Sequence, residues 1–274
     1  MAVLTLGYRC CDRKLPQYIK HPEVEGIAVQ ARRQLVADTT DAIGLSVLRE
    51  INKLKINGVE FDLWVDTEHQ VSDEEGQPVL GVCEFDPDAA PNAALLLVSP
   101  AVNAASQALV LSTFAHELGH AIFDAPAWIV AAHNGPGLFD DHAGEARRAY
   151  RTTTRDADHL AKAAAVRNTE LEKSIHFAEL RANEFMGSLL VPRQPLCRAI
   201  EELAPMYEVT IHRSPSLDPD FPGMALKLSV EGGVSAFDME SLQKALGKRF
   251  GVNRRFIQVR MERYGLLTTG AGIT

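Results

Sequence analysis

The sequence is poor in cysteine. Its four cysteines are Cys10, Cys11, Cys83 and Cys197, and no two of them form a C-x-x-C pair. A disulfide framework and a thiolate metal site are therefore both disfavoured, and a reducing, cytoplasmic location is expected.

Long apolar segments are missing as well. The most apolar stretch, residues 93–114, is interrupted by polar side chains and a proline, so it is not expected to span a membrane. Residues 1–16 carry arginines and cysteines where a signal peptide would have an apolar region. No secretion signal is predicted.

Positive charge is in deficit too. The formal net charge is -8, which disfavours nucleic-acid binding by the chain as a whole but leaves room for a local basic patch. With 274 residues, 46% of them hydrophobic, the chain is long enough for one main domain with a small companion.

The apolar spacing predicts an α+β fold. Residues 21–57 have helical spacing, which predicts one or two helices, and Asn57-Gly58 marks a turn. Apolar and polar residues then alternate over residues 59–66, which predicts a half-buried strand, and two further strands are expected at 79–85 and 94–98. A small sheet should therefore precede the next helix.

That helix is predicted to start near Ser99 or Asn103 and to end at Ala125-Pro126. A linker at 127–144 and a helix at 145–165 should follow. Thr169 and Glu172 form a capping box for a further helix that ends before Pro192.

Beyond Pro192 the sequence predicts an irregular region around residues 214–223, a strand at 224–230 and a helix–turn–helix. The two helices of this last unit are expected at 239–250 and 254–264.

The helix before Pro126 carries the pattern H-E-x-x-H. His116 and His120 are four residues apart, so a helix places both imidazoles on one face, one turn apart, where they can bind one zinc ion. Glu117 is then placed to act as a general base. The alternative is that both histidines are hydrogen-bonded core residues.

A zinc ion also needs a third protein ligand. The residue six positions after His120 is Pro126, not the histidine of a metzincin. The helix at 170–191 offers Glu179, whose face also carries Asn183, a residue able to orient an imidazole. Glu184 lies about 140° around that helix and cannot point at the same ion.

These segments resemble the ImmA/IrrE-type metallopeptidases. The resemblance rests on residues 113–120, on residues 179–192, which are similar to the family's E-x-E-A-N-x-F-A-x-x-L-L-x-P helix, and on residues 245–267. It implies a mainly helical zincin-like core with a small β-sheet, then a helix–turn–helix-like C-terminal unit. The domains expected on this basis are 1–195 and 196–274, with the helix–turn–helix at 239–267.

By position, the resemblance assigns His116, His120 and Glu179 to zinc, with Mn²⁺ as the alternative ion, and Glu117 to catalysis. Family members cut one regulatory protein, often a repressor of a phage, mobile-element or stress-response circuit. The chain departs from the family at Arg181, which replaces the second Glu of E-x-E-A-N, and in the longer segment 127–168, interpreted as a lid or partner-binding element.

The expected activity is thus zinc-dependent cleavage of a specific intracellular protein. Candidates for a side chain that stabilises the oxyanion are His142, Tyr150 and His159.

Two alternatives stay open. One is a DNA-binding regulator with a structural or vestigial metal site, because residues 239–274 carry seven basic against two acidic residues. Arg254, Arg255 and Arg260 are its candidate DNA contacts, although the same basic face also suits a unit that only braces the peptidase. The other is a metallopeptidase toxin of a toxin–antitoxin pair. The sequence leaves the substrate and the oligomeric state open.

Overall fold

The computed structural model describes residues 2–73, 76–103, 106–134, 149–152, 169–216, 219–221, 223–229 and 236–267. The chain divides into two units, the first formed by residues 1–38 and 43–189 and the second by residues 39–42 and 190–274. It is a mixed α/β protein with a small sheet. Within the described ranges, no helix is both long and apolar enough to cross a membrane.

A six-stranded sheet forms the framework of the first unit. Its strands are β1 (Ala2–Leu6), β2 (Ile51–Ile56), β3 (Val59–Asp66), β4 (Gly81–Glu84), β5 (Ala93–Val98) and β6 (Ala149–Thr152). Their spatial order is β1-β2-β3-β5-β4-β6. The β1–β2 and β3–β5 pairs are parallel, whereas β2–β3, β4–β5 and β4–β6 are antiparallel.

The predicted strand that alternates apolar and polar residues is confirmed. Phe61 and Leu63 on β3 are buried, whereas Trp64, the next residue of the same strand, is exposed. The turn before it has φ of 51° at Asn57 and 83° at Gly58, which suits the tight hairpin that joins β2 to β3. The strands predicted at 79–85 and 94–98 are present as β4 and β5.

The helix predicted up to residue 57 is wrong in its last part, where β2 forms instead. Ile51 and Leu54 are both buried and lie three residues apart in the sequence. This spacing is typical of a helix, but a strand with a local irregularity also allows it. Pairing with β1 on one side and β3 on the other decides for the strand. β1 itself was not predicted.

Five helices among the described residues complete the first unit: α1 (His21–Leu35), α2 (Leu45–Arg49), α3 (Gln107–Phe123), α4 (Ala125–Asn134) and α5 (Glu170–Leu190). α3 carries the H-E-x-x-H pattern, and it buries an apolar stripe formed by Leu111, Phe114, Leu118 and Ile122.

α3 begins later than predicted. Ser99 does not cap a helix, because its hydroxyl donates to Val79 O at 2.6 Å and accepts from the backbone N–H of Val71. Asn103 Oδ1 accepts from the N–H of Ser106 in a turn that precedes Gln107. Ser99 therefore holds a loop, whereas Asn103 and Ser106 exchange reciprocal capping-type hydrogen bonds directly before α3.

Residues 127–134 form α4 and not the predicted linker. Pro126 is the second residue of α4, where a helix tolerates proline because the backbone N–H there has no intrahelical acceptor. The proline therefore opens a second helix directly after the first. The rest of the linker, from residue 135, lies outside the described residues.

The helix predicted at 145–165 is wrong at 149–152, which form β6 on the edge of β4. Tyr150 is buried on this strand. The remainder of that prediction falls outside the described residues. Of the predicted lid or partner element at 127–168, the structure thus describes α4 and β6.

The second unit contains α6 (Arg193–Leu203), a 3₁₀ turn at Ala204–Tyr207, β7 (Thr210–Pro215), β8 (Met224–Ser229), α7 (Ala236–Phe250) and α8 (Arg254–Arg263). β7 and β8 pair in an antiparallel hairpin, so the predicted strand at 224–230 is confirmed and the irregular region is shorter than expected. α6 was not predicted.

The two predicted C-terminal helices are present as α7 and α8. Asn253 caps α8, because its side chain accepts the backbone N–H of Phe256 at 2.8 Å. Leu242 and Leu246 on α7 and Ile257 on α8 are buried, which packs the two helices through their apolar faces.

Candidate metal centre

α3 and α5 approach each other closely at a small-residue contact. A Cβ atom added to Gly119 would lie 2.9 Å from Ala182 Cα, a distance that side-chain carbons do not tolerate. Only glycine at 119 therefore allows this spacing of the two helices. Gly119 directly precedes His120, and Ala182 directly precedes Asn183, so the contact brings the two halves of the site together.

Three side chains converge beside this contact. The Nε2 atoms of His116 and His120 are 3.1 Å apart. Glu179 Oε2 lies 3.3 Å from His116 Nε2, and Glu179 Oε1 lies 3.7 Å from His120 Nε2. One donor atom from each residue falls within 4.8 Å of the others, so this group could hold a metal ion.

The outward-facing ring nitrogens have partners of their own. His116 Nδ1 lies 3.0 Å from Asn183 Oδ1, and His120 Nδ1 lies 2.9 Å from Asp124 Oδ2. Both partners can accept an Nδ1 proton, so the two Nε2 atoms face Glu179, and neutral rings in this tautomer would offer their Nε2 lone pairs to a metal ion. Two neutral imidazoles and a carboxylate fit a divalent zinc ion.

Asp124 also accepts a hydrogen bond from α5. Arg181 Nη2 lies 3.1 Å from Asp124 Oδ1, so the carboxylate joins His120 to Arg181 through its two oxygens. Both charged side chains are largely buried, at 17% exposure for Arg181 and 8% for Asp124. Arg181, at the position of the second Glu in E-x-E-A-N, is thus paired with Asp124, the residue that directly follows α3.

Without a metal ion, the cluster is held together by an ion pair between His120 and Glu179. Burial lowers the pKa of His120, but hydrogen bonds to Asp124 and Glu179 outweigh it and raise the pKa to about 10. Burial likewise raises the pKa of Glu179, and the hydrogen bonds from His116 and His120 outweigh it, so the pKa lies well below its usual range. The site therefore keeps a proton that a metal ion must displace.

Glu117 is fully buried beside the two imidazoles. Its Oε1 accepts a hydrogen bond from Thr152 Oγ1 at 2.6 Å, whereas no described residue donates to its buried Oε2. Burial raises the pKa of this carboxyl group, with the nearby histidines and Thr152 acting in the opposite direction. A carboxylate with one satisfied and one free oxygen can accept a proton.

Tyr150 covers one face of the site. Its ring stacks on that of His120, with the centroids 4.0 Å apart and the planes within 6°, and its centroid lies 5.8 Å from that of Trp128. Tyr150 is therefore placed at the site, although these contacts are made by its ring. The other two candidate oxyanion donors, His142 and His159, lie outside the described residues.

The remaining acids of α5 have other roles. Glu172 forms the predicted capping box with Thr169, with both reciprocal hydrogen bonds at 3.1 Å. Glu184 is buried away from the imidazoles and accepts from Ser188 Oγ at 3.0 Å. The expectation that Glu179 and Glu184 face different directions agrees with these contacts.

The candidate DNA contacts lie on α8 in the second unit. Arg255 is exposed, and Arg254 lies 3.8 Å from Glu240. Arg260, however, is only 4% exposed, and its guanidinium lies over the ring of Tyr264 and donates to its hydroxyl. The prediction of Arg260 as a DNA contact is wrong, because its side chain is buried in the core of this unit.

Sequence reasoning missed Asp124, Thr152 and Gly81 as residues of the site. Asp124 follows His120 by four residues, so helical spacing alone could have identified it. Thr152 and Gly81 lie on strands β6 and β4, and no local pattern points from these strands to Glu117.

Comparison of the chain with protein-family models, curated proteins and solved structures found no match.

Proposed function

We propose that this protein is a zinc-dependent endopeptidase of the ImmA/IrrE type that hydrolyses a peptide bond in a specific intracellular protein. One observation carries the proposal. His116, His120 and Glu179 converge from two helices, and the buried Glu117 lies next to the histidines with one oxygen that accepts no hydrogen bond from the described residues.

In the proposed reaction, different side chains hold the ion and orient its ligands. His116, His120 and Glu179 would hold the ion, and Asn183 and Asp124 orient the two rings. When bound, zinc supplies Lewis-acid activation of a water molecule and of the scissile carbonyl.

Glu117 would transfer the proton during hydrolysis. Its free Oε2 takes a proton from the attacking water, and the same carboxyl group then gives it to the amine that leaves. Burial raises the pKa of Glu117, which brings its proton affinity closer to that needed at neutral pH. Thr152 occupies Oε1 and so leaves the proton to Oε2.

The site is accessible to solvent at Glu179. Its side chain is 33% exposed, whereas both imidazoles are almost fully buried. A substrate would therefore approach the histidines past Glu179, the most exposed of the three side chains.

The family resemblance adds a zincin-like core and a repressor-type substrate to the proposal. A helix–turn–helix unit remains part of it, because α7 and α8 are joined by a three-residue connection with an Asn cap. DNA binding by this unit has less support. Of the three candidate arginines, one is buried and one faces Glu240, so we favour a protein partner.

The proposal is tested by the appearance of new protein N-termini in cells. Cells that produce the wild-type protein should show cleavage products that cells producing Glu117→Gln lack, because the amide cannot take up the proton. The purified variant should still bind one zinc ion per chain. Identical sets of N-termini in both cultures, with both proteins metal-loaded, would contradict the proposed activity.

A further inference from the structure

We propose that Thr152 is a positioning residue for Glu117, which rests on the proposed function of Glu117 as the proton acceptor. Thr152 Oγ1 donates to Glu117 Oε1 at 2.6 Å, within the short range of charge-assisted hydrogen bonds. This bond fixes the rotation of the carboxylate about its last torsion, which is otherwise broad. The second oxygen is thereby held in one direction.

The neighbouring strand restricts the same carboxylate independently. Gly81 on β4 pairs in register with Thr152 on β6. A Cβ atom on Gly81 would lie 3.0 Å from both Cγ and Oε1 of Glu117, and 2.6 Å from Thr113 Cγ2. The glycine thus gives Glu117 the space it occupies, and the threonine beside it supplies the hydrogen bond.

The alternation of a β-strand explains why β6 can serve this purpose. Residues two apart on a strand point to the same face, and on β6 these are Tyr150 and Thr152. Tyr150 lies against the ring of His120 and Thr152 against Glu117, so one strand face contacts two residues of α3. A four-residue strand from the segment interpreted as a lid is therefore part of the site itself.

A different role would be to satisfy a buried carboxylate without directing it. The two roles differ in their consequences, since a structural hydrogen bond affects folding alone. A positioning bond, when lost, changes the surroundings of the bound ion as the loss of Glu117 does. The hydroxyl can be removed with little change of shape by Thr152→Val and kept by Thr152→Ser.

The test uses Co²⁺ as the probe, because its visible absorption responds to the groups around its ligands. Full-length wild-type protein, Thr152→Val, Thr152→Ser and Glu117→Gln are titrated with Co²⁺. Thr67→Val, a change of a buried threonine that directly follows β3, is the matched control. We expect the Kd for Co²⁺ to change by less than about threefold in all variants, because the ligands and their Nδ1 partners are intact.

The spectrum should separate the variants. Thr152→Val should shift the absorption bands in the same direction as Glu117→Gln, whereas Thr152→Ser and Thr67→Val should match the wild type. A Thr152→Val spectrum that coincides with the wild-type spectrum would overturn the proposal.

A second measurement tests the contact without a metal. In a double-mutant cycle of Thr152→Val and Glu117→Gln, the effects on the unfolding of the metal-free protein should be non-additive. Additive effects would refute the positioning role even if Co²⁺ did not bind. Failure of the proposed peptidase looks different, since it shows as absent Co²⁺ binding or absent Glu117-dependent cleavage, while the coupling between the two side chains remains.

Discussion

Asp124 Oδ2 lies 2.9 Å from Nδ1 of His120, so the carboxylate holds the ring that presents Nε2 to the metal site. The same carboxylate accepts from Arg181 at 3.1 Å. The orientation of one candidate ligand therefore depends on the salt bridge between Asp124, directly after α3, and Arg181 on α5, which no ligand pattern includes.

Replacing Asp124 by Asn should weaken metal binding. The amide cannot accept the Nδ1 proton with the strength of a carboxylate, so His120 loses its fixed tautomer and some basicity. We expect Zn²⁺ affinity to fall by about 10- to 100-fold, as measured by competition with a chromophoric chelator. Asp88→Asn, at an exposed position, is the control and should leave the affinity unchanged. Equal affinities for both variants would argue against this role of Asp124.

Replacing Arg181 by Glu would introduce the acid that the E-x-E-A-N pattern has at this position, and here it should destabilise the protein. The new carboxylate would face Asp124 in a largely buried position, where loss of a partner costs about 3–5 kcal/mol. The free energy of unfolding in urea measures the effect. Arg33→Glu, which breaks an exposed pair with Asp38, should cost less than about 1 kcal/mol. A similar small cost for Arg181→Glu would mean that the buried pair contributes little.

Gly119→Ala tests the close approach of α3 and α5. The added Cβ would lie 2.9 Å from Ala182 Cα, so the helices must separate, at a cost of about 1–3 kcal/mol. Separation also moves Glu179 from the imidazoles, and zinc affinity should fall with stability. At Gly26, a helical position with nothing within 4 Å of a built Cβ, the same change should stabilise α1 by about 0.5–1 kcal/mol. If both variants gain stability in denaturant unfolding, the close contact is not a constraint.

The stability of the metal-free protein should depend on pH through His120 and Glu179. The raised pKa of His120, about 10 against an ordinary 6.5, stabilises the fold fully below pH 6.5, and this contribution is lost as the pH rises toward 10. The lowered pKa of Glu179 stabilises the fold above its ordinary value of 4.5, and this is lost as the pH falls further.

The two contributions overlap between about pH 4.5 and 6.5. The difference in unfolding free energy between metal-free wild type and Glu179→Gln should therefore be largest near pH 5.5 and smaller near pH 9. Urea unfolding at the two pH values measures it. A difference that grows toward pH 9 would show that the His120–Glu179 ion pair does not stabilise the metal-free state.

Local patterns predicted much of the site. His116 and His120 share a helix face because the 3.6-residue period puts residues four apart together, and Glu179 with Asn183 follows from the same period on α5. Helical geometry thus predicts the two pairs, and the close contact of Gly119 with Ala182 brings them together.

The contribution of β6 could not be predicted in this way. Residues 145–165 have a composition that favours a helix, whereas residues 149–152 pair with β4 through backbone hydrogen bonds that propensity does not describe. Thr152 reaches Glu117 only because of that pairing. In a similar manner, Pro126 was interpreted as a helix end, and the structure uses it in the first turn of α4.

The most direct measurement is anomalous X-ray diffraction at the zinc absorption edge from crystals of the zinc-loaded protein. We expect one strong peak at about 2.0–2.2 Å from Nε2 of His116, Nε2 of His120 and a carboxylate oxygen of Glu179. A peak bound through Nδ1 of either histidine, or a zinc-loaded crystal whose only peaks lie away from Glu179, would contradict it.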